Sequence, residues 1–112
     1  MGTKAIRVDV DGTYTILADN QYETLREGVG GWIEHVALSR TLGFYCNEEG
    51  KIHGLPYNEF GTELMAAYFG FESDVIVGPI VLVGGVDEEG DHLDLDDTVV
   101  AEILTLLEGL QS

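Results

Sequence analysis

Two closely spaced carboxylates near the start of the chain have the types and spacing that phosphoryl transfer requires. Asp9 and Asp11 follow an apolar stretch and precede Gly12 and Thr13. One carboxylate of such a pair could attack a phosphorus atom while the other moves the proton. The acids within 90–97 could hold a magnesium ion for the same reaction. The chemistry depends on whether the fold brings these residues together.

The run from Asp9 to Thr13 resembles the first motif of the haloacid-dehalogenase phosphatases, and 90–97 is similar to their magnesium-binding Gly-Asp-x-x-x-Asp motif. The resemblance implies that Asp9 is the nucleophile, that Asp11 moves the proton and that Asp91 serves the metal. In those enzymes a crossover helix follows the first motif. Here apolar and polar residues alternate on both sides of Asp11-Gly12, which is a strong hairpin signal. We therefore predict a turn between paired strands near 4–10 and 13–18, and no catalytic residue.

Length and composition predict one globular domain spanning 1–112. Hydrophobic residues make up 45% of the 112 positions, and the mean hydropathy is +0.08. The longest apolar run, 75–86, is too short to span a bilayer, so we expect no membrane contact. The N-terminus has no export-signal pattern, and the lone Cys46 cannot form an internal disulfide. These features predict a cytoplasmic protein, located in the host cytoplasm if it is phage-encoded.

The charge of the chain is strongly acidic and unevenly distributed. The chain contains five Lys and Arg and 21 Asp and Glu, which gives a net charge of −16. Residues 87–112 contain nine of the acids and none of the bases. Direct binding of nucleic acid is not expected, because phosphates are bound by Lys and Arg. The expected partner is a basic protein surface, and a homodimer stays open as a second expectation.

The acidic segment, defined as residues 87–97, places seven acids in eleven residues. We predict that these acids bind the partner: Asp87, Glu88, Glu89, Asp91, Asp94, Asp96 and Asp97. A DNA mimic is an alternative, since duplex DNA carries one charge per ~1.7 Å of its axis. The following helix adds only Glu102 and Glu108, however, so the pattern indicates a local patch. Solvation, or adaptation to a salty cytoplasm, would explain the same composition.

Other ligand sites are not predicted. Counted from Asp87, glycine falls at the fourth position, whereas a calcium-binding EF-hand loop needs it at the sixth. The three histidines and Cys46 form no close pair of the kind that binds zinc. The glycine-rich stretch 28–31 lacks the Lys-Ser/Thr of a phosphate-binding loop. We therefore expect no metal and no cofactor.

The remaining patterns predict an α+β domain with about three helices packed on a mainly antiparallel sheet. A helix over 20–28 would start with a capping box at Asn20, and a strand would follow over 32–38. A second hairpin would turn at 47–50.

Asn58 would then cap a helix over 58–69, with Phe60, Leu64, Ala67 and Tyr68 on one face. A buried strand over 74–85 would bend at 78–79. Asp96 or Asp97 would cap the last helix, which would bury Val99, Ile103, Leu106 and Leu110.

Three phrases, "GGWIEHVAL", "NEEGKIHGLPYN" and "DVIVGPIVLVGG", carry a second resemblance. Together they resemble a domain-of-unknown-function family of small phage, plasmid and actinobacterial proteins, over most of the chain from Ile6 to Gly84. The family has no assigned activity, so the resemblance implies a small accessory protein and gives no residue a catalytic role. Glu34 and Asn58 are the polar positions within these phrases where a glycine turn or a helix cap brings the backbone close.

These observations predict a non-catalytic, phage-type accessory protein that binds a host or phage macromolecule through its acidic segment. The alternatives are a small metal-dependent hydrolase that uses Asp9 and Asp11, and a DNA-mimic inhibitor of a DNA-binding protein.

Overall fold

The computed structural model describes residues 2–70 and 74–111 and is built around a five-stranded sheet. The strands are β1 (Ala5–Val8), β2 (Tyr14–Leu17), β3 (Ile33–Ala37), β4 (Gly43–Asn47) and β5 (Ile80–Val83). Their order across the sheet is β2-β1-β5-β4-β3, and every pairing among them is antiparallel. The predicted α+β class with a mainly antiparallel sheet is therefore confirmed.

Three helices cover the two faces of the sheet: α1 (Tyr22–Val29), α2 (Glu59–Phe69) and α3 (Asp97–Gln111). Successive side chains of a strand point to opposite faces. On one face Ala5, Val81 and Val83 pack with Leu25 and Val29 of α1. On the other face the larger core holds Ile6, Val8, Phe44 and Leu82 together with apolar residues of α2 and α3. The α1 face is thus covered by a single short helix.

The central strand β5 is buried on both of its faces, as its unbroken β-branched and apolar sequence predicts. The strand is shorter than the predicted 74–85, because its pairing with β1 begins only at Ile80 and its pairing with β4 only at Val81. Just before it, Gly78 adopts a φ of 75°, a left-handed conformation that breaks the extended chain. The stretch 74–79 belongs to no strand of the sheet. Val77 forms an isolated bridge with Tyr57, and the Ile76 carbonyl accepts a hydrogen bond from the Asn58 N–H at 2.8 Å.

Asn58 joins three parts of the fold from a fully buried position. Its Oδ1 accepts a hydrogen bond from the Gly61 N–H at 2.9 Å, which confirms the predicted cap of α2. Its Nδ2 donates to the Gly78 carbonyl at 2.9 Å and lies 3.4 Å from the Val8 carbonyl. The amide therefore holds the start of α2 against the ends of β1 and the segment before β5.

The second predicted hairpin is wrong. β4 ends at Asn47, and no returning strand follows among the residues described from 48 to 58. Instead the chain makes consecutive turns, in which Asn47 Oδ1 accepts from the Glu49 N–H and the Gly50 carbonyl accepts from the Leu55 N–H. β4 already has β3 and β5 as neighbours, so its two edges are both paired.

Several helix details also differ from the sequence-based expectation. The N-cap of α1 is Gln21, whose side chain makes no capping hydrogen bond, so no capping box forms at Asn20. The Gln21 N–H donates to Asp19 Oδ1. In α3, Leu106 is 56% exposed and Leu107 is fully buried. Leu107 lies four residues after Ile103 and so continues the buried stripe along the helix. In α2, Ala67 and Tyr68 are exposed, whereas Phe60 and Leu64 are buried.

Candidate functional site

The Asp9–Asp11 region forms a hairpin turn, as the alternation on either side of it predicts. β1 and β2 pair with Val8 opposite Tyr14. The Asp9 N–H donates to the Thr13 carbonyl at 2.8 Å, and the Gly12 N–H donates to the Asp9 carbonyl at 3.0 Å. Within this loop only Gly12 has a positive φ, 87°, the left-handed conformation that glycine adopts readily.

Both carboxylates of this turn serve local structure. Asp11 accepts hydrogen bonds from the hydroxyl and the N–H of Thr13, at 2.6 and 3.0 Å, and these bonds lower the pKa of Asp11. Asp9 pairs with Arg7 at 2.5 Å, and Arg7 Nε donates to the Gly28 carbonyl at the end of α1. Because a paired strand follows Asp11, the turn lacks the strand-to-helix geometry of the phosphatase motif.

The first half of the acidic segment is a tight turn organised by Asp87. Its carboxylate accepts from the N–H groups of Glu89 and Asp91 at 2.9 and 3.0 Å, and the Asp87 N–H donates to the Asp91 carbonyl at 2.9 Å. Gly90 completes the turn with a φ of 86°. Asp87 is therefore part of the scaffold that presents the neighbouring carboxylates.

The second half of the acidic segment is attached to the protein at three points. Leu95 is 2% exposed, and its N–H donates to the Thr3 carbonyl at 2.8 Å. Asp94 forms an ion pair with Lys4 at 2.6 Å. Asp96 accepts from the Thr98 N–H at 2.8 Å and caps α3, so the cap is Asp96 and Asp97 is the first helical residue.

The seven predicted binding acids thus divide into two groups. Asp87, Asp94 and Asp96 hold the segment in place. Within the residues that the structure describes, the side chains of the other four form no hydrogen bond or ion pair, and all four are exposed: Glu88, Glu89, Asp91 and Asp97. The second group is available to a partner.

A cleft of about 630 Å³ lies on the α1 face of the sheet and is bordered by the acidic segment. Residues 19–22, which lead into α1, line one part of it, and Gly90, Asp91 and His92 line another. Ile33 and Tyr45 contribute from the sheet. The short helix α1 leaves this part of the face open, so the acidic segment adjoins a concave surface.

Three rings meet beside this cleft and form the ring cluster, defined as His35, Tyr45 and His92. His35 and Tyr45 are opposite each other in β3 and β4, and their rings stack with centroids 4.8 Å apart. The Tyr45 hydroxyl lies 2.7 Å from His92 Nε2, and His92 Nδ1 lies 2.9 Å from the Gly84 carbonyl. A carbonyl only accepts, so Nδ1 carries the proton and Nε2 accepts from Tyr45 in the neutral ring.

The electrostatics of the ring cluster favour a neutral His35 ring and a neutral Tyr45 hydroxyl. Burial, and then the neighbouring His92, lower the pKa of His35. Burial raises the pKa of Tyr45. The rings of His35 and His92 have centroids 5.5 Å apart.

The residues considered as zinc ligands were His35, His53, His92 and Cys46. Cys46 is buried in the core, where burial, and then the nearby Glu34 carboxylate, raise the pKa of its thiol to about 12. Glu34 Oε1 lies 3.7 Å from the sulfur. Within 2–70 and 74–111, no three His, Cys, Asp or Glu residues are arranged to hold a metal ion.

The ring cluster was not predicted from the sequence. His35 and Tyr45 meet through the pairing of β3 with β4, and His92 comes from the acidic segment 47 positions further along the chain. The alternation of residues 33–37 and 43–47 is the one available signal, because it places His35 and Tyr45 on the same face once the two strands are paired.

None of the helices in the described ranges combines the length and apolar composition that crossing a membrane requires. Residues 3–108 match a family model described as a domain of unknown function, DUF3846. Comparisons with curated proteins and with solved structures gave no match.

Proposed function

We propose that this chain, which belongs to the DUF3846 family, is a non-catalytic accessory protein that binds a basic surface of another macromolecule through its acidic segment. The observation that carries the proposal is the group of four exposed, unpaired carboxylates on a segment held in place at both ends. We also place the protein among phage-type accessory proteins and in a cytoplasm, the host's if it is phage-encoded.

The attachment of the segment supports this role. The turn built around Asp87 and the burial of Leu95 hold the backbone in one conformation before a partner arrives. A preorganised surface loses less conformational entropy on binding. The net charge of −16 adds a long-range attraction that speeds the approach of a basic partner.

The pairing of the bases leaves this charge largely uncompensated. Lys4, Arg7 and Lys51 each pair with an acid in the described residues, and only the pair of Lys4 with Asp94 reaches the acidic segment. Arg26 lies over the Trp32 ring, 4.2 Å from its centroid. A basic partner would supply the counter-charge that the chain itself lacks.

Capture with matched charge variants tests the proposal. The first variant combines Glu88→Gln, Glu89→Gln and Asp91→Asn, which removes three charges with no structural partner. The matched control removes three exposed helical charges elsewhere, through Glu27→Gln, Glu63→Gln and Glu102→Gln. We expect one partner to survive moderate salt with the wild type and the control, and to be lost with the first variant. Equal retention by both variants would refute a role for the acidic segment.

The purified protein and its captured partner also test the two alternatives, a DNA mimic and a metal-dependent hydrolase. A DNA mimic predicts that the captured partner binds DNA and that DNA displaces it. A hydrolase predicts magnesium-dependent turnover of an aryl phosphate that is lost in Asp9→Asn. Either result would replace the proposed function.

A further inference from the structure

The cleft beside α1 joins the acidic segment to a concave site with aromatic and carboxylate groups in its lining. We infer that this cleft receives an arginine side chain of the basic partner. The inference rests on the proposed function and specifies the chemistry by which the partner is recognised. A volume of about 630 Å³ lies within the range of ligand pockets and leaves room for a side chain together with the backbone that carries it.

The charges that line the cleft favour a cation. Asp91 is exposed and has no side-chain partner among the described residues. Asp19 is half-buried, and hydrogen bonds from the Thr24 side chain and the Gln21 N–H lower its pKa, so it stays ionised. The one base in the lining, Lys4, is already paired with Asp94. The lining therefore presents negative charge without a matching positive charge.

The type of cation follows from the other groups in the lining. Tyr22 is 49% exposed at the start of α1, and the face of an exposed tyrosine ring attracts a cation. Tyr45 is held in position by its hydrogen bond to His92, which is in turn fixed by the Gly84 carbonyl. The described residues hold no group of ligands suited to a metal ion, so an organic cation fits this lining better.

Arginine fits better than lysine for a geometric reason. A guanidinium is flat and weakly hydrated, so it can stack on a ring while its N–H groups bond to a carboxylate. A lysine ammonium is compact and strongly hydrated, and it would have to give up more of its water to enter the cleft. The cleft offers both a ring, from Tyr22, and carboxylates, from Asp19 and Asp91.

Titration with a blocked arginine amide, followed by NMR of the isotope-labelled protein, tests the inference. We expect saturable shifts of the amide signals of Asn20, Gln21 and Asp91 and of the His92 ring. The matching citrulline amide has nearly the same shape without the charge and should give no saturable shift. The lysine amide should bind more weakly than the arginine amide.

Charge variants locate the site. Asp91→Asn should weaken arginine binding by about twofold to fivefold, the range for one exposed charge pair. Glu102→Gln removes one charge from an exposed position of α3, outside this cleft, and should leave the affinity unchanged. Tyr22→Ala should also weaken binding. Shifts that do not saturate, or that are equal with citrulline, would overturn the inference, as would equal effects of Asp91→Asn and Glu102→Gln.

The failure of this inference can be told apart from the failure of the proposed function. If the arginine amide does not bind but partner capture still depends on the acidic segment, the cleft assignment is wrong and the proposed function stands. If the arginine amide binds in the cleft but capture is insensitive to the acidic segment, the proposed function is wrong.

Discussion

Replacing Asn58 with alanine should lower the free energy of unfolding by about 2–4 kcal/mol. The Asn58 side chain is fully buried and makes two hydrogen bonds of 2.9 Å, one from the Gly61 N–H and one to the Gly78 carbonyl. Loss of the helix cap costs about 0.5–2 kcal/mol. A buried carbonyl left without its donor costs about 1–3 kcal/mol. The longer contact with the Val8 carbonyl, at 3.4 Å, adds less to the total.

Asn58→Asp separates the two contributions. Aspartate caps a helix about as well as asparagine, so a purely capping role predicts a change of less than about 0.5 kcal/mol. In the buried site, however, a carboxyl group would replace the donor that faces the Gly78 and Val8 carbonyls. We therefore expect Asn58→Asp to destabilise the protein at least as much as Asn58→Ala. Urea unfolding, with the midpoint and slope fitted for each variant, measures both changes.

Asp96 provides a matched cap on the surface. It caps α3 through the Thr98 N–H at 2.8 Å but is exposed, so water can replace the lost bond. Asp96→Ala should cost about 1 kcal/mol, less than Asn58→Ala. If Asn58→Asp is as stable as the wild type, or if the two alanine variants lose equal stability, the bridging role assigned to Asn58 is wrong.

Three further predictions concern titration and charge. The thiol of Cys46, whose pKa is raised to about 12, should react with a thiol reagent at pH 8 only as fast as the protein opens. Unfolding in urea should abolish this protection. Fast reaction of the native protein would contradict the burial of Cys46. Because the pKa of His35 is lowered from 6.5, the unfolded state binds more protons just below that pH. Stability should therefore fall as the pH drops from about 6.5 towards the folded pKa, and urea midpoints of His35→Gln should fall less over this window. The melting temperature should rise from low salt to molar potassium chloride, as the Debye length falls from ~10 Å at 0.1 M to ~3 Å at 1 M. At low salt Asp91→Asn should stabilise the protein, whereas Asp94→Asn should not, because it breaks the ion pair with Lys4. A melting temperature that does not change with salt would contradict repulsion among the carboxylates of the acidic segment.

Local patterns predicted the parts of the fold that local physics determines. The Asp11-Gly12 hairpin follows from a glycine between two alternating stretches. Asn58 was recognisable as a cap because asparagine is a favoured N-cap residue and an apolar stripe at helical spacing begins at Phe60. The burial of β5 on both faces follows from its β-branched, apolar sequence.

The features that the sequence did not predict depend on long-range pairing. The stretch 48–55 has the composition of a hairpin, but both edges of β4 are taken by β3 and β5, so the chain turns away. The exposure of Leu106 and the burial of Leu107 depend on the direction from which α3 meets the sheet, which apolar periodicity does not give. The ring cluster needs both a strand pairing and the return of His92 to the same face.

The affinity of the captured partner for two variants of equal net charge tests the central claim most directly. The first combines Glu88→Gln, Glu89→Gln and Asp91→Asn, and the second combines Glu27→Gln, Glu63→Gln and Glu102→Gln. We predict that the first binds about tenfold more weakly than the wild type, as three lost charge pairs imply, and that the second stays within about twofold. Equal affinities for the two variants would show that the overall charge, and not the acidic segment, attracts the partner.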